Sequence, residues 1–285
     1  MNATAPAANR VASIRQRLLD RARSHGEELQ LVLDRFAVER LLYRLSISQH
    51  RDQFLLKGAM LFAVWFDAPH RPTRDADFLG FGSSDPQRLA RILHELCAMD
   101  LDDGLAFDLD SLAIEETREA ANYDGLRLRL TATLGSARCH VQWDVGFGDA
   151  VTPEPVESDY PVLLEEMPAP RLRVYPRETV FAEKFEAITS LGIANSRMKD
   201  YFDLIALIGE SVMDEAELRA AIRATFERRG TRLPADVPFG LTDEFARDGQ
   251  KQAQWQAFLR RNRLAAPDLQ AVVAEIRAFV HALSQ

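Results

Sequence analysis

Apolar positions at helical spacing fill the first part of the chain, over residues 8–48. A first stripe lies on one side of a helical projection: Val11, Ile14, Leu18, Leu19 and Ala22. A second stripe begins at Val38, and Gly26 separates the two. Because residues three and four apart share one face of an α-helix, this spacing predicts two amphipathic helices with a break near Gly26.

The spacing changes from helical to alternating in the middle of the chain. Residues 58–67 and 86–99 have helical patterns, and Asp85 precedes the second as a preferred N-cap. The proline-containing residues 68–73 form a connection. After Gly104, apolar and polar residues alternate, which predicts strands with one buried face. The predicted strands cover 75–81, 126–130 and 137–147.

A proline-rich segment, 148–170, separates this region from a helical C-terminal part, and it marks a domain boundary. Helices are predicted over 177–191, 198–210, 214–228, 242–261 and 267–283. We expect N-terminal helices over 1–50, a mixed core over 51–150, and a connector with a helical C-terminal domain over 151–285. Strands grouped between helical blocks are typical of an α+β fold rather than of a doubly wound sheet.

Composition and charge are those of an ordinary globular protein. The chain has 285 residues, with 47% hydrophobic and 27% charged, and the apolar run 60–66 is too short to span a membrane. Residues 1–10 have no apolar core, so we expect no secretory signal. Cys97 and Cys139 are expected to be free thiols in a reducing cytoplasm. The net charge of −8 argues against a generally basic surface for DNA binding, but it leaves room for a local basic groove.

The most informative motif is Arg-Asp-Ala-Asp at 74–77. Asp75 and Asp77 point to the same face if this segment is a strand, because side chains alternate along a strand. Two carboxylates this close repel each other, and a divalent cation between them removes that cost. Mg²⁺ is usually held by one or two carboxylates and by substrate phosphates, so the motif indicates phosphoryl or nucleotidyl transfer. The alternative is a solvated strand entry with an Asp-containing turn.

Asp144 is the third acidic candidate. It lies on the polar face of the predicted strand 137–147, and aspartate is unfavourable in strands. Exposure on an open sheet face is one explanation. Convergence with Asp75 and Asp77 is the other, and three carboxylates can hold two Mg²⁺ ions.

Charged residues in the C-terminal part supply a second set of candidates. Lys184 lies beside an apolar helical stripe, where it either extends its amine to solvent or binds a phosphate as a point charge. The charges that follow either pair with one another at a helix start or combine phosphate binding with an orienting acid. They are Arg197, Lys199, Asp200 and Asp203.

Five segments in a fixed order carry a family resemblance. They are Leu-Lys-Gly-Ala at 56–59, Arg-Pro-Thr-Arg-Asp-Ala-Asp at 71–77, Trp-Asp-Val at 143–145, Ala-Glu-Lys-Phe-Glu-Ala at 182–187, and Ser-Arg-Met-Lys-Asp-Tyr-Phe-Asp-Leu at 196–204. In this order they resemble the AbiEii/AbiGii nucleotidyltransferase toxin family. The similarity runs from about Phe36 to Ile208, over more than half of the chain.

The resemblance implies a minimal nucleotidyltransferase fold of the DNA polymerase β type, a mixed sheet core with N-terminal helices and a helical C-terminal domain. It implies transfer of a nucleoside monophosphate from an NTP, with Mg²⁺ or Mn²⁺, to RNA such as the 3′ end of tRNA. It also implies a toxin of a type IV-like toxin–antitoxin or abortive-infection system. Its antitoxin would be encoded adjacently and would often carry a winged-helix domain.

The resemblance also implies roles for individual residues. Asp75, Asp77 and Asp144 match the metal-binding and catalytic acids, and Lys184 matches the family's later lysine. Candidates for nucleotide binding are Lys57, Gly58, Ala59, Arg74, Arg197, Lys199, Asp200 and Asp203. The chain departs from the family at Ala59-Met60, where a small hydroxylated residue commonly helps to hold the triphosphate.

The sequence is also compatible with two other functions. A non-catalytic nucleotide-binding module would agree with the missing hydroxyl. A small-molecule nucleotidyltransferase would need an acidic pocket for a cationic substrate, which Asp149, Glu154 and Glu157 could supply. A tRNA acceptor would need a basic groove, and three residues could line it: Arg127, Arg129 and Arg138.

Overall fold

The computed structural model describes residues 5–66, 70–119, 123–210 and 213–283. The chain divides into two compact units. The first comprises Met1–Gly148 with Val156–Val174, and the second comprises Asp149–Pro155 with Tyr175–Gln285.

Among the residues that the structure describes, the first unit contains a sheet and four α-helices. Its helices are α1 (Ala5–His25), α2 (Leu29–Ser46), α3 (Phe62–Trp65) and α4 (Pro86–Cys97). Its strands are β1 (Phe54–Lys57), β2 (Asp75–Gly80), β3 (Leu105–Glu119), β4 (Tyr123–Leu134), β5 (Ala137–Phe147), β6 (Val156–Asp159) and β7 (Arg171–Val174). The predicted break between the first two helices is confirmed, with Gly26 at a φ of 65°.

The strands form one sheet in the order β3-β4-β5-β2-β1-β7-β6. The β2–β5 and β1–β7 pairs are parallel, and the other neighbours are antiparallel. The sheet is therefore mixed, with helices before and after it in the chain. This confirms the predicted α+β class with a mixed sheet core, N-terminal helices and a helical C-terminal part.

The alternating pattern of β5 gives the sheet one apolar face. Val141, Trp143 and Val145 are buried, whereas Gln142 and Asp144 between them are partly exposed. Helices α2 and α4 pack against this sheet. Burial of each large apolar side chain contributes about 1.5–3 kcal/mol, so this face holds the helices in place. The opposite face keeps the polar residues.

Helix α2 is buried on nearly every side, and its charged residues are paired inside the first unit. Arg44 binds Asp103, and Arg40 donates to the carbonyl oxygen of Pro168. The Glu39 carboxylate accepts a hydrogen bond from the backbone N–H of Leu163. The bonds to Pro168 and Leu163 hold the loop after β6 against the helix, and the Arg44–Asp103 pair holds the segment before β3.

The second unit is helical. Its helices are α5 (Arg177–Leu191), α6 (Met198–Glu210), α7 (Glu215–Arg229), α8 (Asp243–Arg247), α9 (Gly249–Asn262) and α10 (Leu269–Leu283). The predicted single helix over 242–261 is wrong, because the chain divides there into α8 and α9. Asp248 adopts a non-helical backbone conformation, and its side chain accepts the N–H of Lys251 as the N-cap of α9.

The region around the predicted helix 58–67 also differs from its pattern. Gly58–Leu61 is a 3₁₀-helix and α3 is a single α-helical turn. Residue 67 and the first part of the predicted connection, 68–69, lie outside the described residues. The four-residue strands β1, β6 and β7 are too short for alternation to identify them. Within the described ranges, no helix is long and apolar enough to cross a membrane.

Candidate active site

The polar face of the sheet carries a row of charged residues across five strands, which we call the central row. Asp77 on β2 is the register partner of both Lys57 on β1 and Asp144 on β5. Asp144 is in turn the partner of Arg127 on β4, and Arg127 is the partner of Glu115 on β3. Paired residues point to the same face, and neighbouring strands lie about 4.8 Å apart. Charges of both signs therefore lie side by side along the row.

Asp75 lies in the adjacent row on the same face. Its register partner on β5 is Gln142, which is itself the partner of Arg129 on β4. Asp75 and Asp77 are both half-buried, while Ala76 between them is fully buried on the apolar face. The predicted strand is confirmed here, and it places the two carboxylates on one side of the sheet.

Arg127 forms a bidentate ion pair with Asp144, the third acidic candidate. Its Nε lies 2.8 Å from Oδ1 of Asp144, and its terminal nitrogen lies 2.7 Å from Oδ2. The Gln142 amide lies 3.2–3.3 Å from the same oxygens. Hydrogen bonding to Asp144 raises the pKa of Arg127 above its ordinary value, so this arginine stays charged.

Gly58 makes room for the Asp77 carboxylate. Its φ is +74°, a left-handed conformation that strains any residue with a Cβ. A Cβ built on Gly58 would lie 2.0 Å from Oδ2 of Asp77, so the carboxylate occupies the space of a missing side chain. Ala59 follows in the 3₁₀-helix, half-buried. Arg74 is exposed, with Glu28 at 3.8 Å.

The donor set of this face fits a hard divalent cation. Asp75, Asp77 and Asp144 offer only carboxylate oxygens, the ligands that Mg²⁺ prefers, and two carboxylates are sufficient when substrate phosphates complete the shell. Across the part of the chain that the structure describes, no three His, Cys, Asp or Glu side chains form a cluster that could hold a metal ion. Arg127 bonds both carboxylate oxygens of Asp144, and this pairing is consistent with the absence of a three-ligand cluster among the described residues.

The second unit brings together four of its five predicted site residues. Lys184 Nζ lies 3.0 Å from Oδ1 of Asp200 and 2.7 Å from Oδ2 of Asp203. Arg197 Nε lies 2.7 Å from Oδ2 of Asp200. Both aspartate side chains are fully buried. We therefore interpret the two aspartates as holding Lys184 and Arg197 in place. The fifth predicted residue, Lys199, is exposed on the first turn of α6.

The charges of the four side chains in this cluster sum to zero. Burial alone would raise the pKa of Asp200, but Lys184 and Arg197 together lower it below its ordinary value. Two positive and two negative side chains therefore face each other. Arg197, whose side chain is 42% exposed, is its most accessible cation.

Two residues beside this cluster were missed by the sequence analysis. The Asn195 side chain accepts the N–H of Arg197 at 2.8 Å, a local turn that begins α6. Lys251 Nζ donates to the carbonyl oxygen of Asn195, also at 2.8 Å. The Asn-Ser-Arg sequence is a signal for such a turn. Nothing in the sequence connects Lys251 to a residue 56 positions away.

Opposite charges neutralise much of both predicted acceptor surfaces. Arg127 pairs with Asp144, and Arg129 pairs with Glu115 at 2.9 Å, while Arg138 is exposed. Among the acids proposed for a cationic substrate, two have arginine partners. Asp149 lies 3.6 Å from Arg229, and Glu157 pairs with Arg51 and Arg171.

Two solved structures have a fold similar to that of this chain. The chain is similar in structure to JHP933 from Helicobacter pylori, at 13% identity and a TM-score of 0.52, over 90% of this chain and 92% of that one. It is also similar to a candidate nucleotidyltransferase from H. pylori, at 14% identity and a TM-score of 0.50, over 90% and 95% of the two chains. At such identities the likeness shows the fold alone. No curated protein sequence matches significantly.

The family is shown by sequence. The family model described as "Nucleotidyl transferase AbiEii toxin, Type IV TA system" matches residues 40–283, which include every site residue discussed above except Glu28. The chain therefore belongs to the AbiEii nucleotidyltransferase toxin family, and it is a nucleotidyltransferase.

Proposed function

We propose that this nucleotidyltransferase transfers a nucleoside monophosphate from an NTP to RNA, at the 3′ end of tRNA, with Mg²⁺ or Mn²⁺ as cofactor. It acts in the cytoplasm as the toxin of its pair, and an adjacently encoded antitoxin, of winged-helix type, counteracts it. Membership of a toxin family supports the toxin role. The chemistry is supported by the register that places Asp77 beside Asp144, with Asp75 one row away.

The acids of β2 and β5 are the residues that would hold the cation. Asp75 and Asp77 supply the first carboxylates, and Asp144 supplies the third. When bound, the cation neutralises the triphosphate and lowers the pKa of the acceptor hydroxyl. Gly58 contributes by leaving the space in which the Asp77 carboxylate lies.

The reaction that these residues support is an in-line displacement. The acceptor hydroxyl oxygen forms a bond to the α-phosphorus of the NTP, and the bond from that phosphorus to the bridging oxygen of the β-phosphate breaks. Pyrophosphate leaves, and the hydroxyl proton passes to a carboxylate or to water. Asp144 is the carboxylate that we assign to this proton, because its register pairing with Asp77 places it beside the proposed metal site.

The cluster in the second unit has a separate proposed role. Arg197 and Lys199 are exposed cations that we propose bind phosphate, and Lys184 contributes charge that Asp200 and Asp203 keep in place. Because the cluster is neutral overall, its attraction for phosphate depends on local geometry. Replacement of Arg197, the most exposed cation of the cluster, should therefore weaken the binding of phosphate to this unit.

The acceptor can be identified by following label from each of four α-³²P-labelled NTPs. The protein is incubated with Mg²⁺ and either total tRNA, tRNA whose 3′ diol has been oxidised with periodate, or a set of cationic aminoglycosides. We expect label from one NTP on intact tRNA only. Label on oxidised tRNA would contradict the 3′ end as the acceptor, and label on aminoglycosides alone would contradict RNA.

A further inference from the structure

Arg127 is placed to control when Asp144 becomes available. We propose that the Arg127 guanidinium occupies Asp144 in place of the metal cation when no NTP is bound. The triphosphate of the incoming NTP then binds Arg127 and separates it from Asp144. Asp144 is then released to complete the metal site. This inference rests on the proposed function, because it requires that Asp144 be a metal ligand.

The geometry gives Arg127 both oxygens of the carboxylate. Two parallel N–H···O bonds of 2.8 and 2.7 Å form a bidentate pair, the strongest arrangement that an arginine makes with a carboxylate. A carboxylate has about four lone-pair positions, and Arg127 uses two of them while Gln142 approaches the others. A cation can use both oxygens of Asp144 only if the hydrogen bonds from Arg127 break.

The same pair is accessible enough to exchange. The side chain of Arg127 is 34% exposed and that of Asp144 is 20% exposed. Solvent reaches both side chains and screens their attraction, so a competing dianionic or more highly charged ligand can displace the carboxylate. A fully buried pair would not exchange in this way, because a separated charge would remain unsolvated.

A triphosphate is the competing anion that the register favours. Arg127 lies two strands from Asp77, about 10 Å across the sheet at the usual strand spacing. A cation near Asp77 carries the substrate phosphates with it, so their oxygens come within reach of an arginine side chain on β4. Guanidinium groups bind phosphate oxygens with the same two-point geometry that they use for carboxylates.

Arg129 provides a matched control for this idea. It lies on the same strand and on the same face, two residues from Arg127, but it bonds to Gln142 and Glu115 instead of to Asp144. Arg127→Gln removes the internal cation from Asp144. Arg129→Gln removes an arginine that is more exposed, at 46% against 34%, and leaves the hydrogen bonds from Arg127 to Asp144 in place.

The test measures two affinities that should move in opposite directions. Free Mn²⁺ is titrated into each variant by electron paramagnetic resonance, and the preformed Mn²⁺–triphosphate complex is titrated by calorimetry. We expect Arg127→Gln to bind free Mn²⁺ about fivefold more tightly than wild type, because Asp144 is released, and to bind the complex about fivefold more weakly. Arg129→Gln should match wild type for free Mn²⁺. Arg127→Lys, which keeps the charge but loses the fork, should fall between wild type and Arg127→Gln.

The outcomes separate this proposal from the one on which it rests. Equal Mn²⁺ affinities in Arg127→Gln and Arg129→Gln, or a shift of both ligands in the same direction, would overturn the role of Arg127. Asp77→Asn tests the metal site itself. If it leaves Mn²⁺ binding unchanged, the metal site fails. If it abolishes Mn²⁺ binding while the two arginine variants agree, only the inference about Arg127 fails. Circular dichroism of each variant shows that it is folded.

Discussion

Gly58 is the residue whose missing side chain shapes the candidate site. It combines a positive φ with a carboxylate, that of Asp77, in the place where its Cβ would be. Gly26 shares the first property without the second, since nothing lies within 4 Å of the place where its Cβ would be. Substitutions at the two glycines therefore allow the effect of backbone strain to be distinguished from the effect of displacing Asp77.

Gly58→Ala should damage activity far more than Gly26→Ala. Both substitutions should lower the free energy of unfolding by about 1 kcal/mol through backbone strain. Only Gly58→Ala pushes Asp77 aside, and a misplacement near 1 Å costs about 100-fold in rate. Nucleotide transfer and urea denaturation of both variants check this. Equal transfer rates in the two variants would contradict the account of Gly58.

The pairing of Arg127 with Asp144 could have been predicted from sequence. Gly135-Ser136 is a turn signal, and a two-residue turn there fixes Leu134 opposite Ala137. Counting back along both strands gives Arg127 opposite Asp144. By contrast, the contact of Gly58 with Asp77 could not be predicted, because it depends on a positive φ and on β1, a strand of only four residues.

Among the helices, the start of α6 depends on a contact from α9. Lys251 is 4% exposed and belongs to the first turn of α9, where the helix dipole opposes a positive charge. Its bond to the Asn195 carbonyl oxygen and its position 5.5 Å from the Phe245 ring offset that cost. Asn195 in turn fixes Arg197.

Lys251→Met should destabilise the second unit without leaving a buried charge behind. It removes a hydrogen bond to a buried carbonyl oxygen, so we expect a loss of about 1–3 kcal/mol in the free energy of unfolding. Urea denaturation followed by circular dichroism at 222 nm measures this loss, because the second unit is helical. A stability equal to that of wild type would show that Lys251 does not support the turn.

The Lys184 cluster should behave as a coupled unit. Lys184→Met leaves two fully buried carboxylates without this cation, so it should cost about 3–5 kcal/mol. Asp203→Asn in the same chain should restore part of that loss, because one of the two charges is then gone. A double-mutant cycle measures the coupling free energy between Lys184 and Asp203, and a coupling near zero would contradict the ion pair.

The order of the C-terminal helices could be predicted, and so could most of their ends. The predicted bounds 177–191 and 198–210 are those of α5 and α6, and the predicted 214–228 differs from α7 by one residue at each end. Apolar periodicity identified α5, α6, α7 and α10 because each has a continuous helical stripe. It joined α8 to α9, since a stripe continues across Asp248 although the backbone does not. A capping aspartate followed by glycine was the local signal of that break.

For the molecule as a whole, pH should act on stability through Glu39. Burial raises the pKa of its carboxyl from the ordinary 4.5 to about 7, although the Leu163 N–H and Arg40 act to lower it. The folded protein then holds this proton more tightly than the unfolded chain does. Its contribution to stability is therefore fully present below about pH 4.5 and is lost as the pH rises through about 7.

Glu39→Gln should remove this part of the pH dependence. The wild-type free energy of unfolding should contain a fall of at most about 3 kcal/mol between pH 4.5 and 7.5 that the variant lacks. The amide oxygen can still accept the Leu163 N–H, so the fold is retained. Urea denaturation at several pH values measures the difference, and parallel curves for the two proteins would be inconsistent with a raised pKa.

The family and the class of fold follow from sequence because they depend on ordered motifs and on the grouping of strands and helices. The placement of Asp75, Asp77 and Asp144 on one sheet face needed the parallel pairing of β2 with β5, which joins segments more than 60 residues apart. Only Asp144 and Arg127 are linked by a local hairpin.

We propose above all that nucleotide transfer depends on the β2 carboxylates, Asp75 and Asp77. The most direct test compares transfer from α-³²P-labelled NTPs by wild type, Asp77→Asn and Asp110→Asn, the last an exposed carboxylate on β3. We predict that Asp77→Asn lowers the rate by at least about 1,000-fold while remaining folded, and that Asp110→Asn transfers like wild type. Transfer by folded Asp77→Asn at the wild-type rate would contradict the account.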